Sequence, residues 1–142
     1  MSEEELRRAA TVLDTYRAQL EALGRQSDLV RQSLEEFRRA RETVVRYQEA
    51  GASKEVLVPI GANSFLRATS ADPGHVLVGI GSDLVIEDAS ETAVRRLEMR
   101  IQSLEEAGQA VGGKIEEVQA RIEAQSAAVE ELYAKEQGAA PG

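Results

Sequence analysis

No cysteine and no tryptophan occur among the 142 residues, aromatic residues make up 4%, and there is one histidine. Without cysteine there is no disulfide staple, no thiolate nucleophile and no cysteine-ligated metal, which fits a reducing compartment. So few aromatic rings argue against an ordinary close-packed globule, whose core normally leans on large aromatic side chains. Nowhere does an apolar run approach the roughly 20 residues that span a bilayer. The opening MSEEELRR is charged and lacks the apolar stretch of a secretory signal. Positive charge is also short: 17 Lys and Arg stand against 25 Asp and Glu, giving a formal net charge of -8. That sign makes nucleic-acid backbones and anionic membranes poor partners. The expectation is a cytoplasmic, soluble protein that engages neither nucleic acid nor membrane.

What the chain does have is a β-rich middle between two long charged segments. Val56, Val58, Ile60, Val76, Val78, Ile80, Val85 and Ile86 are β-branched and are bounded by Gly, Asn, Asp and Pro, the pattern of short strands. Four are expected: Val56–Pro59, Phe65–Ala68, His75–Gly79 and Leu84–Glu87. Gly61-Ala62-Asn63-Ser64 turns the first pair, and Gly79, Gly81, Ser82 and Asp83 turn the second. Asp72-Pro73-Gly74 separates the two hairpins, and Pro59, which lacks an N–H, should put its strand at an edge or end it there. Both strand faces are apolar, since Leu57 alternates with the valines of one run and Leu77 with those of the other. Such strands need cover on both sides, and small isolated hairpins are marginal in water. The segment is therefore expected to be an oligomerisation core, carried by Val56, Leu57, Val58, Ile60, Phe65, Val76, Val78, Ile80, Leu84 and Ile86. The competing reading is a small sheet folded onto the helix bases of its own subunit.

Residues 2–50 read as one helix, opened by the capping-box pattern Ser2-Glu3-Glu4-Glu5 and stopped by Gly51. Its apolar residues recur at spacings of three and four. An a series of Leu6, Leu13, Leu20, Ser27, Leu34, Arg41 and Gln48 accompanies a d series of Ala9, Tyr16, Leu23, Val30, Phe37 and Val44. Residues 89–137 repeat the pattern, with Asp88 or Ser90 as cap. Val94, Ile101, Gly108, Ile115, Ile122 and Val129 are its a series; Leu97, Leu104, Val111, Val118, Gln125 and Leu132 its d series. A stripe this narrow makes a coiled-coil seam. The simple solution is an antiparallel pair pairing residue i with roughly residue 138 − i, each helix on the order of 70 Å long. Gly24 and Ser27 then meet Val111, Gly112 and Gly113. Two readings stand there, a thin and bendable waist or a close approach of the helices. The divisions are thus a helix at 2–50, the paired hairpins at 54–88, a helix at 89–137 and a flexible tail at 138–142.

Catalytic chemistry finds no foothold. His75 has no cysteine or metal-spaced partner and reads as structural or exposed. Gly79-Ile80-Gly81 resembles a fragment of a phosphate loop, but no Gly-Lys-Ser/Thr follows and the next element is a strand. No nucleophile–base pair or inward carboxylate pair emerges from spacing. The arginine pairs are interleaved with Glu and read as ion pairs. No enzyme activity, metal or cofactor is expected. Near the chain ends, Val12 and Tyr133 fall outside the seam, and Leu6, Val129 and Leu132 lie where it splays. Exposed apolar groups there suit weak, sequence-tolerant binding of unfolded chains, although scattered surface apolar residues are also ordinary.

The order helix, two hairpins, helix resembles the prefoldin family, and two hairpins rather than one resemble its alpha-type subunits. The most specific block is Val56-Leu57-Val58-Pro59-Ile60-Gly61-Ala62 with Phe65 following, and the likeness covers nearly the whole chain. The resemblance implies a mainly α, α+β subunit, a long two-helix coiled coil whose two hairpins join an oligomeric β-barrel platform. It implies assembly of two such chains with four prefoldin beta subunits. It further implies ATP-independent holding of unfolded or nascent polypeptides and their delivery to a group II chaperonin. The client-binding positions carried over are Leu6, Ala9, Val12, Leu13, Val129, Leu132 and Tyr133. The competing function is a coiled-coil scaffold that docks one folded partner.

Overall fold

A computed structural model describes residues 2–139. Six elements follow in order: α1 (Ser2–Ala50), β1 (Glu55–Gly61), β2 (Ser64–Thr69), β3 (His75–Gly81), β4 (Leu84–Ala89) and α2 (Ser90–Ala139). Each strand runs farther than its apolar residues suggest, taking in Gly61, Thr69, Gly81 and Ala89. The helix α2 likewise continues through Gly138, expected to begin the tail. The Ser2 side chain and residues 140–142 of that tail lie outside the described residues. The chain forms two compact units, one holding the residues up to Gln32 with those from Glu106 on, the other Ser33–Glu105.

The helices form because good helix formers fill the positions between the seam residues, and three glutamates in the first turn of α1 complement its dipole. Gly51 ends α1 at φ 80°, a left-handed conformation that glycine adopts without a Cβ clash. Every seam position named above is buried or half-buried except Arg41. In the first unit Leu13, Val111 and Val118 are the buried apolar residues. There the Gln125 Nε2 donates to the Ala9 carbonyl at 2.9 Å. A Cβ on Gly108 would lie 3.5 Å from Val30 Cγ1. Those two contacts set an antiparallel register within a turn of the expected one. In the second unit Arg41 Nε meets Glu98 Oε1 at 2.9 Å and Arg38 meets Glu105 at 3.0 Å, all four side chains about half exposed. Such pairs fix register more than they stabilise, each contributing about 0–1 kcal/mol. Arg41 is thus an a-position residue that reaches out of the seam to a carboxylate. A Cβ on Gly24, Gly112 or Gly113 would meet nothing within 4 Å, so helix approach does not require these glycines.

The two hairpins are separate antiparallel sheets, β1 with β2 and β3 with β4. Ala62 and Asn63, at φ 49° and 56°, form one turn; Ser82 and Asp83, at 52° and 61°, form the other. Two positive φ values in a two-residue loop define the mirror-image turn that matches strand twist. In both hairpins the register slips by one residue just before the turn, at Ile60 and at Ile80, a β-bulge that adds local twist. The expected four-residue turn at Gly61–Ser64 is therefore shorter, its flanking residues being paired as strand. The hairpins are also related in sequence. Glu55 matches His75, VLVPIG matches VLVGIG, and Ser70 matches Ser90, an offset of 20 residues.

The two serines are structural. Ser70 Oγ donates to the Gly51 carbonyl at 2.7 Å and accepts from the Lys54 N–H at 3.1 Å. The Ser70 main chain exchanges two further bonds of 2.8 Å with Ser53 and Lys54. At the second base Ser90 Oγ donates to the Pro73 carbonyl at 2.7 Å, and its N–H donates to the Gly74 carbonyl at 2.8 Å. Both serines are buried, at 2% and 1% exposure, deeper than any large apolar side chain described. Ser90 therefore does not cap α2 with its side chain. Nor does Asp88, which lies within β4. Its Oδ2 sits 3.2 Å from Arg96 Nε, out of line for a hydrogen bond. The turn between hairpins is held by Asp72, which accepts from the Gly74 N–H at 3.0 Å and contacts His75 Nδ1 at 2.9 Å.

Candidate functional site

Side chains alternate across each hairpin, so register assigns them to faces. In the first hairpin Val56, Val58, Leu66 and Ala68 share one face; Glu55, Leu57, Pro59, Phe65, Arg67 and Thr69 share the other. In the second, Val76, Val78, Ile86 and Asp88 share one face; His75, Leu77, Gly79, Val85, Glu87 and Ala89 share the other. Val56, Val76, Val78 and Ile86 are half-buried. Thr43 and Tyr47 of α1 line a groove beside each hairpin, against Val76 in one and Val56 and Val58 in the other. The groove against the first hairpin is about 580 Å³ and runs past Ala50, Val56 and Val58.

The other large apolar strand residues stand in solvent. Leu57, Val58, Ile60, Phe65, Ile80 and Leu84 are all exposed, as are Leu66, Leu77 and Val85, which the sequence reading left out of its oligomerisation set. Leu77 is the most open, at 74%. The sheet is therefore not folded onto its own helix bases. At about 25 cal/mol per Å² of apolar surface, leaving this many Leu, Val, Ile and Phe side chains uncovered forgoes several kcal/mol. Monomeric proteins rarely leave that much apolar surface open. Leu66, Leu77 and Val85 were legible as apolar; the missing information was how little of each strand the helices cover.

The other candidate positions lie in the first unit. Val12 and Tyr133 are exposed, at 40% and 56%. Leu6, Ala9, Val129 and Leu132 are half-buried in the seam. Leu13 is buried at 8%, so it holds the helices together and reaches solvent only where they part. Gln125, which ties α2 to the Ala9 carbonyl, adjoins these residues. Among the described residues no three His, Cys, Asp or Glu side chains gather as a metal site would require. No helix among them is long and apolar enough to cross a membrane.

The fold defines a class, a pair of long helices joined by two strand hairpins that leave most of their large apolar side chains open to solvent. The Prefoldin subunit family matches residues 16–135. Prefoldin subunit alpha of Methanoculleus marisnigri is 38% identical over 121 residues, 85% of this chain and 80% of that one. The alpha subunit of Methanospirillum hungatei is 30% identical over 139 residues, 95% and 93% of the two chains. In structure, a chain of the filamentous PFD from Methanocaldococcus jannaschii superposes with a TM-score of 0.69 over 83% of this chain and 98% of that chain, at 24% identity. The prefoldin beta subunit from Thermococcus strain KS-1 gives 0.60 over 89% and 90%, at 16% identity. The chain belongs to the prefoldin family and is a chaperone subunit of it.

Proposed function

We propose that this chain is the alpha-type member of a prefoldin hetero-oligomer, in which two copies assemble with four beta subunits through the hairpins. The assembly holds unfolded or nascent polypeptides without ATP, in the cytoplasm, and delivers them to a group II chaperonin. The observation that carries the reading is the exposure of nine large apolar strand residues, Leu77 at 74% and Leu84 at 61% among them. The solved beta subunit shares this fold, which supports hairpins of both kinds of subunit meeting in one platform.

Clients are held in the first unit, at Leu6, Ala9, Val12, Leu13, Val129, Leu132 and Tyr133. Val12 and Tyr133 supply contacts available at all times. Leu6, Ala9, Val129 and Leu132 add area where the helices fray, and Leu13 only on wider opening. Each contact is weak, and several subunits on one platform raise avidity by roughly 10²–10⁴. The test compares the complete hetero-oligomer with one in which residues 2–13 and 128–142 of this chain are deleted, using suppressed aggregation of a denatured protein as the readout. Suppression is expected to fall sharply while the oligomer mass stays that of an intact assembly. Unchanged suppression by an intact assembly overturns the client assignment.

A further inference from the structure

Gln125 occupies a d position of α2, the place held by Leu97, Leu104, Val111, Val118 and Leu132 in the other turns. Its side chain is half-buried, and its Nε2 donates to the Ala9 carbonyl at 2.9 Å. That carbonyl lies inside α1, where the helix already gives it the N–H of the residue four places on, Leu13. Gln125 therefore adds a second bond to an acceptor that is already satisfied. When this bond breaks, the amide turns to water and the Ala9 carbonyl keeps its helical partner. No buried polar group is stranded, so opening here avoids the usual cost of a lost buried hydrogen bond. A leucine at the same position would have to expose apolar area instead.

Gln125 also marks a change in burial along the seam. Leu13, Val118 and Val111 are buried, at 8%, 7% and 4% exposure. Towards the chain ends Leu6, Ala9, Val129 and Leu132 are only half-buried. The a position that follows Val129 is Glu136, half-buried as well. The end of the helix pair is thus a short apolar seam with an amide at its inner limit and a carboxylate at its outer limit.

We infer that Gln125 is the positioning residue that sets where the client-holding end of the helix pair opens, its bond to Ala9 yielding while the seam at Leu13 and Val118 stays shut. The inference rests on reading the tips as the client site, and names the residue that governs how much of that site is offered. The closed end covers Leu6, Ala9, Val129 and Leu132. The open end presents them beside Val12 and Tyr133, which are exposed even when it is closed. A single polar residue in a coiled-coil seam gives up stability to specify an arrangement. Here the arrangement specified is the length of seam that can part.

The test uses the complete hetero-oligomer, its mass checked for intact assembly, with Gln125→Leu or Gln125→Glu in this chain. Leucine seals the seam with apolar area, whereas glutamate keeps the shape of glutamine but has no N–H for the Ala9 carbonyl. In the leucine variant the amides of residues 6–10 and 126–136 should exchange roughly tenfold more slowly. The concentration of assembly that halves aggregation of a denatured protein should rise roughly threefold or more, because the weak tip contacts act together. In the glutamate variant the same amides should exchange faster, and that concentration should match the parent's or fall. Stability of the end and holding of clients thus move in opposite directions, which a merely structural glutamine would not produce. Exchange unchanged by leucine, undiminished holding despite slower exchange, or weaker holding by the glutamate variant overturns the inference. Deleting the tips, measured in parallel, separates the two levels. If deletion abolishes suppression while the leucine variant holds clients as the parent does, Gln125 is not the control and the tip reading stands; if deletion changes nothing, both fall.

Discussion

Ser70 and Ser90 show how much a small polar residue can hold. Each closes the base of a hairpin, and each is nearly inaccessible to water. Replacing Ser70 by Ala leaves the Gly51 carbonyl without its 2.7 Å donor and the Lys54 N–H without its acceptor. Stranding such buried groups costs about 1–3 kcal/mol. Ser70→Ala should lower the urea midpoint accordingly, and Ser70→Thr, which keeps the hydroxyl, should recover part of the loss. Ser70 was not legible as structural and Ser90 only as a helix cap, because a serine beside turn residues looks like any solvated serine. The available signal was their equivalent place in the 20-residue duplication. Arg41 was misleading in the opposite sense. Its heptad position predicts burial, yet its guanidinium reaches Glu98 outside the seam. A charged head on a long apolar stem can line a seam without entering it.

At the scale of elements the helices were the readable part. Spacings of three and four carry the seam from Leu6 to Leu132, and the structure keeps that stripe covered wherever the side chain is apolar. The strands were legible in number and order but not in length. Gly61 and Gly81 look like turn residues, and both sit at φ 101° inside strands, next to bulges that sequence does not announce. The glycines of the helices lead to a prediction. Gly24, Gly112 and Gly113 are helical and have free space where a Cβ would go. Alanine at each should stabilise by about 0.5–1 kcal/mol, through helix propensity alone. The triple variant should melt at a higher temperature and exchange its mid-helix amides more slowly. If alanine there destabilises, the helices pack more closely than this geometry allows.

For the whole molecule the balance of covered and uncovered surface decides behaviour. The buried apolar set among the described residues is small, Leu13, Ala93, Val111 and Val118, whereas the strands display nine large apolar side chains. Surface ion pairs do little to offset this, since most are more than half exposed. The isolated chain should therefore bind a hydrophobic dye such as ANS. The signal should drop in proportion to the surface sealed when a beta subunit is added. A dye signal unchanged by assembly would mean that the partner covers some other part of the chain. The net charge of -8 opposes precipitation of the uncovered chain.

The self-contained base of each hairpin bears on how such chains diversify. Because Ser70 and Ser90 fasten their hairpins independently, residues 71–90 form a cassette whose removal joins Ser70 to Glu91 and leaves the first hairpin latched as before. A connector with two plugs then becomes an end piece with one. Losing or copying this block would change how much strand surface a subunit offers, with α1 untouched and α2 shortened by Ser90 alone.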